Sequence, residues 1–210
     1  MSSKSFVDDL QVYAVSRLAV GRIGLLWLAV AACALFVSRE ISAASVMLSL
    51  LLSAMLIVQF RLWDDLADRE HDAATHPQRV IVATDHARRF SYLRGLLSLP
   101  IVTTLGMGYG IEHLAVYVGL LVFMSLLYAV SGTALPRLLR AHLVLLKYPA
   151  FIWLCAQDAD PAQWARVGTS AYLALCIFEI ASDASLRGNV IWRGIIAVEI
   201  LAIALLLIFI

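Results

Sequence analysis

Five acidic residues fall within the twelve positions that follow an apolar stretch at residues 41–60. The segment reads Arg61-Leu62-Trp63-Asp64-Asp65-Leu66-Ala67-Asp68-Arg69-Glu70-His71-Asp72. On a continuing helix, Asp65, Asp68 and Asp72 lie at i, i+3 and i+7 and share one face, with Asp64 flanking Asp68. Like charges at this spacing repel and oppose the helix macrodipole, so a bound cation is expected. Carboxylate ligands suit Mg²⁺, which favours oxygen and commonly bridges to phosphate.

A second interpretation of the same segment needs no metal. Arg61 and Arg69 stand among the acidic residues, and charges of both signs beside a membrane segment often form a solvated, neutralised cluster. The spacing alone leaves both interpretations open.

The composition indicates a membrane protein. Of the 210 residues, 62% are hydrophobic, and the mean hydropathy is +0.87, outside the range of soluble domains. We expect a single domain over residues 1–210, with residues 64–92 as a cap loop on the cytoplasmic side and membrane lipid as its surroundings. The net charge of +1 provides no basic field, so we expect no nucleic-acid partner.

Apolar runs predict an all-α, polytopic bundle of about seven transmembrane helices. The runs cover residues 20–38, 41–60, 91–110, 114–131, 138–156, 164–182 and 190–210. Each approaches the length that crosses about 30 Å of hydrocarbon as a helix. Fourteen lysines and arginines fall on the N-terminal side, and two, Arg39 and Arg166, fall on the other. The positive-inside rule therefore predicts a cytoplasmic N-terminus, an external C-terminus and a cytoplasmic acidic segment.

Other polar residues show no ligand spacing that is typical of a metal site. The cysteines are expected to be small buried hydrophobic residues, and the histidines of the cap loop are expected at the interface; they are Cys33, Cys155, Cys176, His71, His76 and His86. Glu199, inside the last apolar run, faces either the bundle interior or a partner subunit.

Residues 64–72 resemble the N/D-D-x-x-D-x-x-x-D signature of the UbiA superfamily of intramembrane prenyltransferases. His76-Pro77-Gln78-Arg79-Val80-Ile81 is similar to the family's Pro-x-Arg-Pro-(Ile/Leu) stretch, with Val80 at the second proline. The resemblance covers most of the chain and implies a UbiA-like fold, although the family usually has more than seven helices. It also implies that Asp65, Asp68 and Asp72 hold Mg²⁺ against a prenyl diphosphate, with Asp64 where asparagine is commoner.

A second acidic position, Phe178-Glu179-Ile180-Ala181-Ser182-Asp183, ends the sixth run. Glu179 and Asp183 share a helix face at i and i+4. The family has a second aspartate motif at this place, and the resemblance implies that these two residues hold a second metal or a water network.

The activity implied by the resemblance is Mg²⁺-dependent transfer of a prenyl group from a prenyl diphosphate to an unidentified acceptor within the membrane. Arg79 and Lys147 are the candidates for contact with diphosphate oxygens. Lys147 lies inside an apolar run, where its amine must either meet an anion or reach the interface. Tyr128 and Tyr148, together with Trp63 and Trp153, are candidates to present aromatic faces to an allylic cation. Alternatively, these rings serve in packing or as interface anchors.

Two other functions share parts of this pattern. CDP-alcohol phosphotransferases also carry aspartates at cytoplasmic helix ends, but their motif requires glycine, and residues 64–72 contain none. The main alternative is a catalytically impaired UbiA-like protein that binds a lipid or quinone, or acts as a subunit. This alternative arises because the second acidic position holds only two carboxylates, fewer than the aspartate motif of the family.

Overall fold

The computed structural model describes residues 5–19, 21–130, 135–182 and 191–208. Within those ranges the regular structure is helical and includes no strand, which confirms the all-α prediction. The helices are α1 Phe6–Tyr13, α2 Gly21–Val37, α3 Ala43–Ala67, α4 Arg69–Thr75, α5 Val80–Ala83, α6 Ala87–Leu96, α7 Ser98–Gly108, α8 Ile111–Val130, α9 Arg137–Leu145, α10 Lys147–Cys155, α11 Pro161–Ser182 and α12 Ile191–Ile208. A π-helical segment, Ala14–Leu18, directly follows α1.

Among the described residues, three helical segments are long and apolar enough to cross a membrane. They are Ala43–Ala67, Ile111–Val130 and Leu138–Cys155, the last of which continues from α9 into α10. The N-terminal helices, Phe6–Leu18 and Gly21–Val37, meet at 69° and add a fourth span if they form one broken segment. The membrane class is thus supported by three or four candidate spans, while seven spans stays a prediction.

Two prolines explain where predicted runs are interrupted. The third run, residues 91–110, is divided between α6 and α7 at Leu97. Pro100 follows this turn by three positions; it has no N–H to donate to the carbonyl four residues earlier, and its ring crowds that carbonyl. Pro149 stands in the same relation to the turn at Leu146 between α9 and α10. Each proline therefore occupies the third position of a new helix, which begins at Ser98 or Lys147.

The central helix of the bundle is α10, which packs against α2, α3, α8 and α11, while α11 packs in turn on α12. Phe151 of α10 meets Phe60 of α3 edge to face, with ring centroids 5.1 Å apart. Gln59 of α3 is also buried, and both ends of its side-chain amide are hydrogen-bonded. The Tyr117 hydroxyl donates to its Oε1 at 2.9 Å, and its Nε2 donates to Ser98 Oγ at 2.7 Å. These bonds join α3 to α7 and α8 without leaving a buried polar group unsatisfied.

A smaller second core lies under the cap. It contains Tyr13, Leu62, Ile81 and Phe90, contributed by α1, α3, α5 and α6. After the end of α3, the predicted cap therefore forms short helices packed against that end. The N-terminal helix is fastened to the same layer, because the Thr84 hydroxyl donates to Asp9 Oδ2 at 2.5 Å. The cap and α1 together lie against one side of the acidic segment.

Candidate functional site

The acidic segment spans the junction between α3 and α4, so it is not one continuing helix. α3 ends at Ala67, and Asp68 is its C-cap, with φ −86° and ψ 3°. α4 then begins at Arg69. Asp65, Asp68 and Asp72 do not meet one common set of partners, so the prediction that they share one face is wrong. The backbone hydrogen bonds from Asp68 N to Asp64 O and from Asp72 N to Asp68 O continue through the junction. Helical periodicity therefore places Asp68 nearest to Asp64, at i and i+4, and Asp72 nearest to Asp65, at i and i+7.

Asp64 faces the centre of the bundle. Lys147 Nζ donates to Asp64 Oδ2 at 2.5 Å, and the Tyr128 hydroxyl donates to Asp64 Oδ1. The Lys147 side chain is only 2% exposed, so it does not snorkel to the interface. A buried amine requires an anion, and the structure provides a carboxylate from α3, across 83 residues of sequence.

Asp68 lies on the same side as Asp64. Arg140 Nη2 donates to Asp68 Oδ1 at 2.5 Å, and Tyr128 lies within electrostatic range of both carboxylates. Both basic partners come from the α9–α10 segment, one on each side of the turn at Leu146. We call Asp64, Asp68, Lys147, Arg140 and Tyr128 the central cluster.

Asp65 faces the N-terminal segment instead. The Tyr13 hydroxyl donates to Asp65 Oδ2 at 2.9 Å, Arg17 Nε donates to the same oxygen at 3.0 Å, and Arg17 also pairs with Oδ1. Arg61 lies 3.6 Å away on the same helix. Burial, reinforced by the Asp65 charge, raises the pKa of Tyr13, and the bond to Asp65 raises the pKa of Arg17. The tyrosine therefore remains a neutral donor and the arginine remains charged.

Asp72 binds the cap. Arg79 Nη1 lies 2.5 Å from each carboxylate oxygen of Asp72, and His76 Nδ1 lies 3.9 Å from one of them. Arg79, predicted to contact diphosphate, thus fastens the start of α5 to α4. Arg69 donates its Nε–H to the Ile81 carbonyl at 3.1 Å. Of the two arginines considered as neutralising partners, Arg61 lies within ion-pair distance of an aspartate, Asp65.

The four aspartates consequently divide into two pairs. Asp64 and Asp68 face α9–α10, whereas Asp65 and Asp72 hold α1 and the cap. Among the described residues, no three carboxylates of this segment bring ligand oxygens within 4.8 Å of one another. A three-aspartate clamp is therefore not assembled in this arrangement, and the central cluster is the part of the motif that faces the bundle interior.

The division changes what is expected of Asp65→Ala. If the substitution only relieved repulsion between neighbouring carboxylates, the fold would be intact or slightly stabilised. In the structure, however, the substitution also removes the hydrogen-bond acceptor of Tyr13 and Arg17. We expect a loss of about 2 kcal/mol in the free energy of unfolding, measured by denaturant titration in mixed micelles.

Trypsin provides an independent readout of the same change. Cleavage after Arg17 should accelerate in Asp65→Ala, because α1 loses its attachment to α3, while the exposed neighbour Glu70 should tolerate Glu70→Ala without either effect. Equal cleavage rates in wild type and Asp65→Ala would show that α1 does not depend on this contact.

The second acidic position approaches the central cluster through Tyr148. This tyrosine lies within electrostatic range of both Asp64 and Glu179, so the end of α11 and the end of α3 face the same region. Arg22, at the start of α2, contacts the Phe178 ring at 5.9 Å and belongs to the same end. Asp183 lies outside the described residues.

Aromatic rings lie directly beneath the central cluster. Trp63 contacts both Tyr128 and Phe60, with ring centroids 5.5 and 5.7 Å apart. Tyr148 meets Phe151 at 5.5 Å, and Lys147 Nζ lies 5.6 Å from the Tyr148 ring centroid. Trp153, the remaining aromatic candidate, instead stacks on His113 and meets Trp164, away from these rings.

Sequence reasoning missed three partners of the aspartates: Tyr13, Arg17 and Arg140. Tyr13 and Arg17 are four positions apart on the N-terminal helical segment, a spacing that indicates a common face. Nothing local indicates that this face meets Asp65, 48 residues from Arg17. In the same way, Arg140 was recognised as basic, but its partner lies 72 residues away.

The arrangement combines paired charges of both signs with an apolar, aromatic interior, which suits an amphiphile that has an anionic head and an apolar tail. The chain matches no protein-family model, no curated protein and no solved structure.

Proposed function

We propose that the protein transfers a prenyl group from a prenyl diphosphate to an acceptor within the membrane, in a Mg²⁺-dependent reaction. The observation that carries the proposal is the central cluster: two carboxylates and two basic side chains meet above aromatic rings in an apolar bundle. A prenyl diphosphate has the same division between a charged head and an apolar chain.

The donor set fits Mg²⁺. This ion is usually bound by one or two carboxylates together with substrate phosphates and water, so Asp64 and Asp68 suffice without Asp65 and Asp72. Asp64 is 17% exposed and Asp68 is 43% exposed, so part of each carboxylate side chain is accessible. When bound, Mg²⁺ neutralises negative charge on the diphosphate.

The basic partners of these carboxylates fit the head group. Lys147 donates to Asp64 and Arg140 donates to Asp68, and both could turn their donors to diphosphate oxygens once the carboxylates have a metal as partner. Charges of both signs are thus present before the ligand arrives. The Tyr128 hydroxyl, which bonds Asp64, orients that carboxylate.

The aromatic rings fit the reacting carbon. Transfer requires that the bond between the allylic carbon and the diphosphate oxygen breaks, with the electron pair leaving on diphosphate. The acceptor then forms a bond to the carbon and loses a proton. Trp63, Tyr128 and Tyr148 lie beside the central cluster, where their π-faces would stabilise an allylic cation. Glu179, which interacts electrostatically with Tyr148, is the residue of the second acidic position that lies in the described part of the chain.

Release of diphosphate tests the proposal. Wild-type protein in lipid nanodiscs, incubated with prenyl diphosphates of several chain lengths, should release inorganic diphosphate with Mg²⁺ and not with EDTA. Water serves as the acceptor where no other is supplied. Absence of Mg²⁺-dependent release at every chain length, from protein shown to be folded by its circular dichroism, would contradict the proposal.

The ion pairs favour one alternative, a UbiA-like protein without turnover. Every aspartate of the motif forms an ion pair with a lysine or an arginine. A structural role also requires that each negative charge be neutralised in this way. Such a protein binds a lipid or quinone, or acts as a subunit. It predicts binding of a prenyl-chain amphiphile without dependence on Mg²⁺ and without release of diphosphate.

The proposed topology has seven membrane helices, with the N-terminus inside and the C-terminus outside, as the fourteen-to-two division of basic residues indicates. A C-terminal alkaline phosphatase fusion should be active, and a C-terminal green fluorescent protein fusion should be dark. The reverse result would overturn the topology and, with it, the cytoplasmic location of the acidic segment.

A further inference from the structure

A second polar cluster lies apart from the central cluster, between α9, α11 and α12. His142, Cys176 and Glu199 bring one ligand atom each within 4.8 Å of one another. Cys176 is fully buried and Glu199 is 6% exposed. The glutamate thus faces the bundle interior, which decides between the two orientations that the sequence left open.

The hydrogen bonds of His142 determine which ring nitrogen faces the cluster. Nδ1 lies 2.9 Å from the Leu138 carbonyl, and since a carbonyl only accepts, Nδ1 carries a proton. In the neutral ring, Nε2 then presents a lone pair to Glu199 Oε1 at 3.0 Å. Two lone pairs at this distance repel unless a cation or a proton lies between them.

Glu199 has a second unexplained oxygen. Its Oε2 is buried and has no hydrogen-bond partner among the described residues. An unpaired oxygen of a buried carboxylate is costly. A salt bridge from a protonated His142 accounts for Oε1 but leaves Oε2 without a partner and gives the buried thiol no role.

We propose that His142, Cys176 and Glu199 bind a borderline-soft divalent metal ion, with Zn²⁺ as the best match. Imidazole, thiolate and carboxylate together are typical of Zn²⁺, whereas Mg²⁺ takes oxygen ligands. Zn²⁺ places such ligand atoms about 3.3–3.6 Å apart in a tetrahedral site. The separations in the structure, all within 4.8 Å and 3.0 Å between His142 Nε2 and Glu199 Oε1, are near this range. Three protein ligands would leave the fourth position open for water or another ligand.

Neighbouring groups orient the ligands as in known metal sites. A metal-binding histidine usually donates its other N–H to a carbonyl or carboxylate, as His142 does to Leu138. Tyr172 hydrogen-bonds to Cys176, and its ring meets the His142 ring at 6.5 Å. None of these residues belongs to the central cluster, so the proposal stands independently of prenyl transfer.

Cobalt and zinc titrations test the site. Metal-free wild-type protein in detergent should bind one equivalent of Zn²⁺ in competition with a chromophoric chelator. With Co²⁺ it should show the thiolate-to-cobalt absorption band. Cys176→Ser should abolish the band, and His142→Asn and Glu199→Gln should each weaken Zn²⁺ binding by at least about 10-fold.

Matched controls separate this site from adventitious binding. Cys33→Ser removes a half-buried thiol elsewhere and should retain the cobalt band, and the double variant His71→Asn/His76→Asn removes exposed histidines of the cap and should retain Zn²⁺ affinity. Stoichiometric binding without a thiolate band, or no chelator-competitive binding by wild type, would overturn the proposal. Because both of these outcomes are read from the wild-type protein, the test holds even if a variant fails to fold.

Discussion

Lys147→Met should lower the free energy of unfolding by about 3–5 kcal/mol. Methionine fills the volume of the lysine stem, so the loss does not come from a cavity. It comes from Asp64, which keeps its charge inside the bundle and loses the ammonium group at 2.5 Å. The Tyr128 hydroxyl remains as its donor, but a neutral donor does not replace an opposite charge. Unfolding in mixed detergent micelles measures the effect.

A double-mutant cycle identifies the cause. Asp64→Asn should also be costly, because it leaves the Lys147 ammonium, which is only 2% exposed, without its anion. The double variant should recover most of the loss because neither charge is then left unpaired. Arg39→Met is the matched control. Arg39 lies 3.9 Å from Asp160, and these side chains are 65% and 45% exposed, so their pair should contribute no more than about 1 kcal/mol. A loss below 1 kcal/mol in Lys147→Met would mean that this amine does not depend on Asp64.

Asp68→Asn should weaken Mg²⁺-dependent binding of a non-hydrolysable prenyl diphosphate analogue by about 100-fold. The substitution preserves shape and still allows a hydrogen bond from Arg140, but it removes an anionic oxygen ligand. Asp68 is 43% exposed, so the cost in stability should stay within about 1 kcal/mol. Calorimetric titration with and without Mg²⁺ measures the affinities.

The sign of the effect without Mg²⁺ distinguishes a metal ligand from a structural residue. In EDTA, Asp68→Asn should bind the analogue at least as tightly as wild type, because Arg140 is released from its ion pair and one repulsive charge is gone. Glu70→Gln is the control, because it removes one exposed carboxylate from the same segment. It should bind the analogue as wild type does, with and without Mg²⁺. Equal affinities of all three proteins with Mg²⁺ would exclude the metal role of Asp68.

The two predictions depend on the division of the four aspartates into two pairs. From the sequence, the aspartates formed one set on one helix face. In the structure, Asp65 and Asp72 attach α1 and the cap, and Asp64 and Asp68 turn to α9–α10. The pairs are those that helical periodicity brings closest, Asp64 with Asp68 at i and i+4 and Asp65 with Asp72 at i and i+7. Which pair faces the bundle interior and which faces the cap depends on the packing of α3 against α1, α5, α9 and α10.

Local features of the chain were predictable because local physics decides them. The apolar runs predicted helices close to α2, α3, α8, α11 and α12, since lipid and the bundle core demand the same continuous apolar length. The apolar length did not show that prolines divide the third and fifth runs. Their positions were visible in the sequence, and Pro100 and Pro149 each mark a new helix start.

The sequence by itself determined that this protein is helical, apolar enough for a membrane and acidic at one helix end. Only the tertiary structure decided which charges meet. Lys147 pairs with Asp64 across 83 residues, and His142 with Glu199 across 57. Helix periodicity predicts side-chain contacts only within the next one or two turns. A buried charge, in contrast, pairs with an opposite charge that the packing of α3, α9, α10 and α12 brings within hydrogen-bond distance.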